Sequence, residues 1–240
     1  MFSKFLLTLT VLMLIVAQPI ASQVSHVSWT AILKKNVSAS GNVDYRELLK
    51  DRTALDAYLQ LLSVNPPKDN WTVNEQKAYW INAYNAFTIK LILQNYPVKS
   101  IKSIGGFFKS PWDVEFINID GTAYTLNHIE HEILRKEFDD PRIHFAIVCA
   151  SRSCPNLRNE AFDASRLDTQ LDEQATAFIN DISKNKIFTD EIEISKIFDW
   201  FKNDFTANKT LIEFLNKYSK TKINPKASVS YLSYDWSLNE

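Results

Sequence analysis

The sequence predicts an α+β fold: a helix-rich single domain with a small, mainly antiparallel sheet. Three observations lead there. Apolar residues recur at helical spacing through the first third of the chain, with a long run from Gln76 to Tyr96. Strand-like stretches are short and come later, mixed with further helical segments, so a regular βαβ repeat is not expected. Only four glycines occur in 240 residues, which favours regular elements joined by short loops.

The first stretch predicts the compartment. Met1 to Lys4 carries one positive charge, and Phe5 to Val16 is nearly all apolar. Gln18-Pro19 breaks the run, and Ile20-Ala21-Ser22 offers small residues for cleavage. This is the layout of a secretory signal at residues 1–22, and it predicts an exported protein, periplasmic or extracellular. The run is shorter than the roughly 20 apolar residues of a spanning helix. No cysteine follows the cleavage point to take a lipid, so no membrane anchor is expected after removal. Residues 23–240 then form the single domain.

Within it, Trp29, Ile32 and Leu33 share one helical face, and Gly41 breaks the next segment. Leu55, Tyr58, Leu59 and Leu62 mark an amphipathic helix that Asn65-Pro66-Pro67 ends. Thr72-x-x-Glu75 is a capping box in front of Gln76 to Tyr96, with Pro97 as the stop. That helix is apolar almost all round, the pattern of a buried central element. Asp120-Gly121, between Val114–Ile119 and Thr122–Leu126, predicts a two-residue hairpin. Asn127 is placed to cap a short helix reaching Glu137, and Ile143–Val148, after Pro141, reads as an interior strand. Leu167, Leu171, Phe178 and Ile182 mark another helix. Glu191–Ser195 alternates like a strand, Ile197–Phe205 is aromatic and helical, and Tyr231 to Trp236 reads as a late strand.

Charge and motifs exclude several classes. The formal net charge of −1 becomes −2 once Lys4 is removed, and no basic cluster is interleaved with aromatics. Neither nucleic acid nor a membrane surface is therefore an expected partner. No glycine-rich phosphate loop, zinc-protease helix or nucleophile elbow is present, so no nucleotide or other cofactor is expected. The partner left open is a small-molecule, peptide or cell-envelope substrate.

Residues suited to chemistry concentrate in two places. On the central helix, Glu75, Asn82 and Asn85 fall within an arc of roughly 80°. Two amides inside an apolar helix need partners, either as packing devices or as orienting groups. The second concentration runs from His128, Glu130, His131 and Arg135 to Arg142, His144 and Cys149. A thiol needs a base or a positive field to become a thiolate at neutral pH, and histidine is the usual supplier. If Ile143–Val148 is a strand, His144 and Cys149 point to opposite faces and lie about 17 Å apart along it. His131 is then the better base. Cys149 and Cys154 are five apart, so a local disulfide stays open beside a free thiol. A metal site from His128 and His131 shows no clear third or fourth ligand, and none is assigned.

At these residues the chain resembles a known family, domain-of-unknown-function family 547. The similar segments are Glu75 to Ala86, Ile129 to Arg135, Asp140 to Cys149, Ser153 to Leu157, and Tyr234 to Asn239. The resemblance covers nearly the whole mature chain, with these segments in the right order. The resemblance implies no assigned reaction and no catalytic residues. It also implies that relatives in reducing compartments keep the first cysteine but can show serine at the position of Cys154. That favours a role for Cys149 apart from a disulfide.

Three functions follow as expectations. In a thiol hydrolase or acyltransferase, Cys149 attacks a carbonyl, His131 is the base, and Glu75, or Asn82 or Asn85, orients the imidazole. Arg142 and His144 then join Asn82 and Asn85 as substrate-binding or orienting groups. In a non-catalytic binding domain the same residues are a structural polar network. In a redox protein, Cys149 and Cys154 exchange with partner thiols.

Overall fold

One long helix, α4 (Val73–Asn95), organises the chain, and Thr72 and Glu75 start it with the reciprocal hydrogen bonds of a capping box. The computed structural model describes residues 24–106 and 109–240. The stretch read as a signal peptide lies outside them. Pro97 follows α4, as the sequence predicts, and nearly every α4 residue from Lys77 to Leu93 is buried. Against it pack α2 (Tyr45–Lys50) and α3 (Thr53–Val64), and α1 (Val27–Asn36) packs in turn on α3 and α2. Trp29 of α1 stacks on Tyr58 of α3, and Tyr79 of α4 donates from its hydroxyl to the Leu62 carbonyl at 2.7 Å.

The hairpin lies where Asp120-Gly121 predicts it. β1 (Ile117–Ile119) pairs antiparallel with β2 (Thr122–Tyr124), Ile117 opposite Tyr124. Asp120 and Gly121 both take positive φ, at 49° and 79°. That is the demand of the turn that suits strand twist.

Asn127 does not cap the next helix. It is itself helical, and its side-chain amide donates to the Asp113 carboxylate. Thr125 instead accepts from the His128 N–H at 3.0 Å. His128–Leu134 then winds as a π-helix before α5 (Arg135–Phe138), and such wide turns frequently mark functional positions.

Ile143–Val148 is not a strand. Pro141–Phe145 forms a 3-10 helix capped by Asp140, and the run ends in a turn. The reason lies on α4. Asn85 donates to the Ala146 carbonyl and accepts from the Val148 N–H, both at 2.9 Å, supplying the bonds a neighbouring strand would have made. An apolar run alone does not distinguish a strand from a buried irregular segment.

After α6 (Leu167–Ile179) come β3 (Lys186–Ile187), β4 (Glu191–Ile194), α7 (Ile197–Trp200), α8 (Lys202–Thr206), α9 (Leu211–Tyr218) and β5 (Ser228–Tyr231). α6 stops short of Ile182, which is 85% exposed. In the second sheet β4 is central, antiparallel to β3 and parallel to β5. The late strand ends where it was expected to begin, at Tyr231. Beyond it the chain runs as a strap over residues 150–153. Arg152 N–H donates to the Ser237 carbonyl, and Asp235 N–H donates to Ser153 Oγ, both at 2.8 Å.

The apolar interior forms two clusters. The first joins α1–α4 to Ile143, Ala146 and Ile147, and the second joins Phe145, Phe178, Phe198, Phe205 and Phe214. The 141–148 segment therefore stitches the two together. Among the described residues no helix is long and apolar enough to cross a membrane.

Candidate active site

A cavity of about 190 Å³ opens at the seam between the two clusters. The first cluster contributes Tyr84, Trp112, Ile147 and Trp236 to its lining, and the second contributes Ile197, Phe201 and Tyr234. Glu130, His131, His144 and the two cysteines also face it. A mainly apolar hollow with a few convergent polar groups is the ordinary form of a small-molecule site.

The π-helix sets Glu130 inside. Its carboxylate accepts from the Tyr84 hydroxyl at 3.0 Å and has no other hydrogen bond among the described residues. Burial raises the Glu130 carboxyl from its ordinary 4.5 to about 7, with the Tyr84 hydrogen bond and the Arg135 charge pulling back and Asp204 adding to the rise. Near neutral pH this group exists in both forms.

One turn on, Arg135 grips Asp204 of α8 through two bonds, at 2.7 and 2.8 Å. The same carboxylate lies 2.7 Å from Nε2 of His144. Burial alone would raise the Asp204 carboxyl, but the Arg135 and His144 hydrogen bonds outweigh it and hold it well below the usual carboxylate range. His144 is stacked on Phe201 with ring centres 4.0 Å apart. Burial lowers its pKa despite the Asp204 partner. A low histidine beside an ionised carboxylate is consistent because Arg135 already supplies the balancing charge. Neutral His144 therefore donates Nε2–H to Asp204 and keeps its Nδ1 lone pair.

His131 has the opposite tautomer. A guanidinium only donates, so His131 Nδ1 accepts from Arg135 at 3.1 Å and Nε2 carries the proton. Burial, then the Arg135 charge, lowers its pKa. His131 thus lines the cavity as a donor, with its lone pair already engaged. The imidazole fitted to act as a base is His144. The strand reading had set it aside, and the 3-10 turn brings it to the same cavity as Cys149.

Cys149 and Cys154 are joined in a disulfide, and among the described residues no cysteine is free. The Tyr234 hydroxyl lies 3.4 Å from Cys149 Sγ and donates to Cys154 Sγ at 3.3 Å, while no imidazole bonds either sulfur. In this state Cys149 is not a nucleophile, which corrects the expectation of a free thiol activated by His131.

The remaining predicted residues lie off the cavity lining. Glu75 is spent on Thr72 in the capping box, binding both its N–H and its hydroxyl. Asn82 donates to the Phe162 carbonyl at 2.8 Å and accepts from the Phe162 N–H at 3.0 Å, as Asn85 does for Ala146 and Val148. Arg142 binds Asp140, Asp168 and Asp172. The contacts of these four are thus structural and lie away from the cavity lining.

Sequence reasoning placed Glu130 in the second concentration without giving it a role, and it missed Asp204 and the aromatic walls Trp112, Trp200, Phe201, Tyr234 and Trp236. A π-helix shifts side-chain directions away from the 100° step, so α-helical periodicity could not send Glu130 inward. The one available signal for Asp204 was an acid set between Phe201 and Phe205 in an otherwise aromatic stretch.

Residues 68–179 match the family model described as "Protein of unknown function, DUF547". The matched span includes α4, Glu130, Arg135, His144 and the disulfide, whereas Asp204, Trp200 and the C-terminal strap lie beyond it. No curated protein and no solved structure matches the chain.

Proposed function

Because residues 68–179 of this chain are a DUF547 domain, a family of unknown function, we propose a function from the cavity itself: general acid–base chemistry on a small organic ligand. His144, held by Asp204, is the base, and Glu130 is the acid. The observation that carries this reading is the 2.7 Å His144–Asp204 contact on the same cavity as the buried Glu130 carboxyl.

The chemistry is ordinary in its parts. His144 Nδ1 takes a proton from the ligand or from a water beside it, and Asp204 stabilises the imidazolium that results. Arg135 fixes Asp204 from its other side. Glu130, titrating near 7, returns a proton to the ligand, and Tyr84 keeps that carboxyl in place. Two groups with separate environments and a shared cavity suit hydrolysis, elimination or isomerisation.

The test uses the folded wild type beside Glu130→Gln and His144→Asn, each incubated with a low-mass cell extract and followed by mass spectrometry. Wild type should deplete at least one compound that neither variant depletes. Equal depletion by all three proteins would contradict the reading.

A second reading is favoured by one observation, that Cys149 lines the same cavity as His144. In the reduced chain Cys149 would attack a carbonyl and His144 would take its proton. Turnover that appears only with a reductant and vanishes in Cys149→Ser supports this version. Turnover by the oxidised chain supports the first. Export is part of the proposal as well, since a disulfide persists in oxidising compartments.

A further inference from the structure

We infer that the ligand of this cavity is a small organic cation, a quaternary or protonated amine. The inference rests on the acid–base reading of the same cavity and adds the class of compound that fills it: Glu130 meets the cation as a carboxylate and serves as the acid only after taking up a proton in the cycle.

The first argument is charge. Two acids stand at the site, Glu130 and Asp204, and the guanidinium of Arg135 beside them; Lys102 lies over the Trp236 ring and among the described residues pairs with neither carboxylate. Arg135 is committed to Asp204 through both of its hydrogen bonds to that carboxylate. Glu130 takes part in no ion pair among the described residues, and its hydrogen-bonding partner there is a neutral phenol, Tyr84. A buried carboxylate without a counter-ion is costly. A cationic ligand supplies that counter-ion. An anion would add to the unbalanced charge, and a neutral apolar ligand would leave Glu130 to meet the cost of burial by holding its proton.

The second argument is the wall. Trp200, Tyr234 and Trp236 form a continuous aromatic surface, with Tyr234–Trp236 ring centres 4.6 Å apart and Trp200–Tyr234 4.8 Å apart. Trp112 closes on Trp236 edge to face at 5.7 Å. Tyr234 and Trp112 are tilted to Trp236, at 50° and 68°, while Trp200 and Trp236 stack at 24° with ring centres 5.7 Å apart, and all four line the cavity. Aromatic faces attract cations through their quadrupoles, most strongly when water is excluded. Two rings of this wall already hold one: Lys102 Nζ lies 5.0 Å from the Trp236 ring centre, and the Arg135 guanidinium lies 5.0 Å from that of Phe201. A space of about 190 Å³ suits a compact head group rather than a polymer.

The experiment compares choline with 3,3-dimethylbutan-1-ol, its uncharged carbon analogue of the same shape. Both are titrated into the oxidised full chain at pH 8, by tryptophan fluorescence and calorimetry. Choline should bind at least tenfold more tightly than the analogue. That preference should disappear in Glu130→Gln, whose fold is checked by circular dichroism. Trp236→Leu should weaken choline and leave the overall fold intact. Equal affinity for the two probes, or no choline binding, would overturn the cation assignment. The acid–base reading would survive either result if Glu130→Gln and His144→Asn still abolished the turnover of extract compounds.

Discussion

Glu130 is the residue on which the proposed chemistry turns, and its titration makes a stability prediction with a definite sign. Its carboxyl is raised from an ordinary 4.5 to about 7 by burial. The groups facing it are the Tyr84 hydroxyl, the Arg135 guanidinium and the Asp204 carboxylate. Below pH 4.5 the carboxyl is neutral in both the folded and the unfolded chain. Between 4.5 and 7 the unfolded chain gives up its proton first, so stability falls as pH rises. The loss approaches about 3 kcal/mol above pH 7. Glu130→Gln has no such proton to lose. Denaturant melts at pH 5 and pH 8 should therefore show wild type losing more stability than this variant, by about 2.5 kcal/mol. Equal losses would contradict the burial argument. Asp204→Asn tests the other half of the site. It removes the carboxylate that holds His144 and Arg135, and turnover should fall by about a hundred- to ten-thousand-fold. Its stability cost should be about 2 kcal/mol, since both side chains of the Arg135–Asp204 pair keep some exposure to solvent.

At the scale of the element, α4 acts as a template for backbone that has no sheet to join. Asn82 holds Phe162, and Asn85 holds Ala146 and Val148, each through one donor and one acceptor. Asn85→Leu would leave a buried carbonyl and a buried N–H unpaired, which costs about 2–5 kcal/mol. Thermal or denaturant melting measures it, and a loss under 1 kcal/mol would contradict the template role. The same clamps explain what the sequence made legible. Thr72 and Glu75 announced the start of α4, Pro97 its end, and Asp120-Gly121 the hairpin, because each is a local signal read from adjacent residues. Ile143–Val148 misled because its partner sits about 60 positions upstream, on a helix face. The π-helix at His128–Leu134 was likewise hidden, since ordinary α periodicity assumes the narrower turn.

On the scale of the whole molecule, the cavity exists because two apolar clusters meet along the 141–148 segment and leave a gap. The gap is closed from outside by the strap that carries Tyr234 and Trp236. That strap is bonded to residues 150–153, within the loop closed by the disulfide. Ala150 sits there at φ 56°, a conformation that costs a non-glycine residue free energy and that the surrounding bonds must maintain. Reduction should therefore do more than loosen a short loop. The loop entropy of so small a ring corresponds to about 2 kcal/mol. Hydrogen exchange after reduction should also quicken at Asp235 and Ser237, whose N–H groups lie on the strap. Unchanged exchange there would separate the strap from the disulfide. None of this architecture could be read from the sequence, because residues near 150 and 235 meet only after folding. The concentration of His128 to Cys149 was readable, and His131, His144 and Cys149 from it line the cavity on which the proposal rests.

The most direct measurement is a ¹³C NMR titration of the Glu130 side-chain carboxyl in the folded, oxidised chain, assigned by comparison with Glu130→Gln. A midpoint near pH 7 is expected, displaced downward by choline as the bound cation stabilises the carboxylate. A midpoint at the ordinary 4.5, insensitive to choline, would mean that the carboxyl is solvated and would remove the acid–base site together with its ligand.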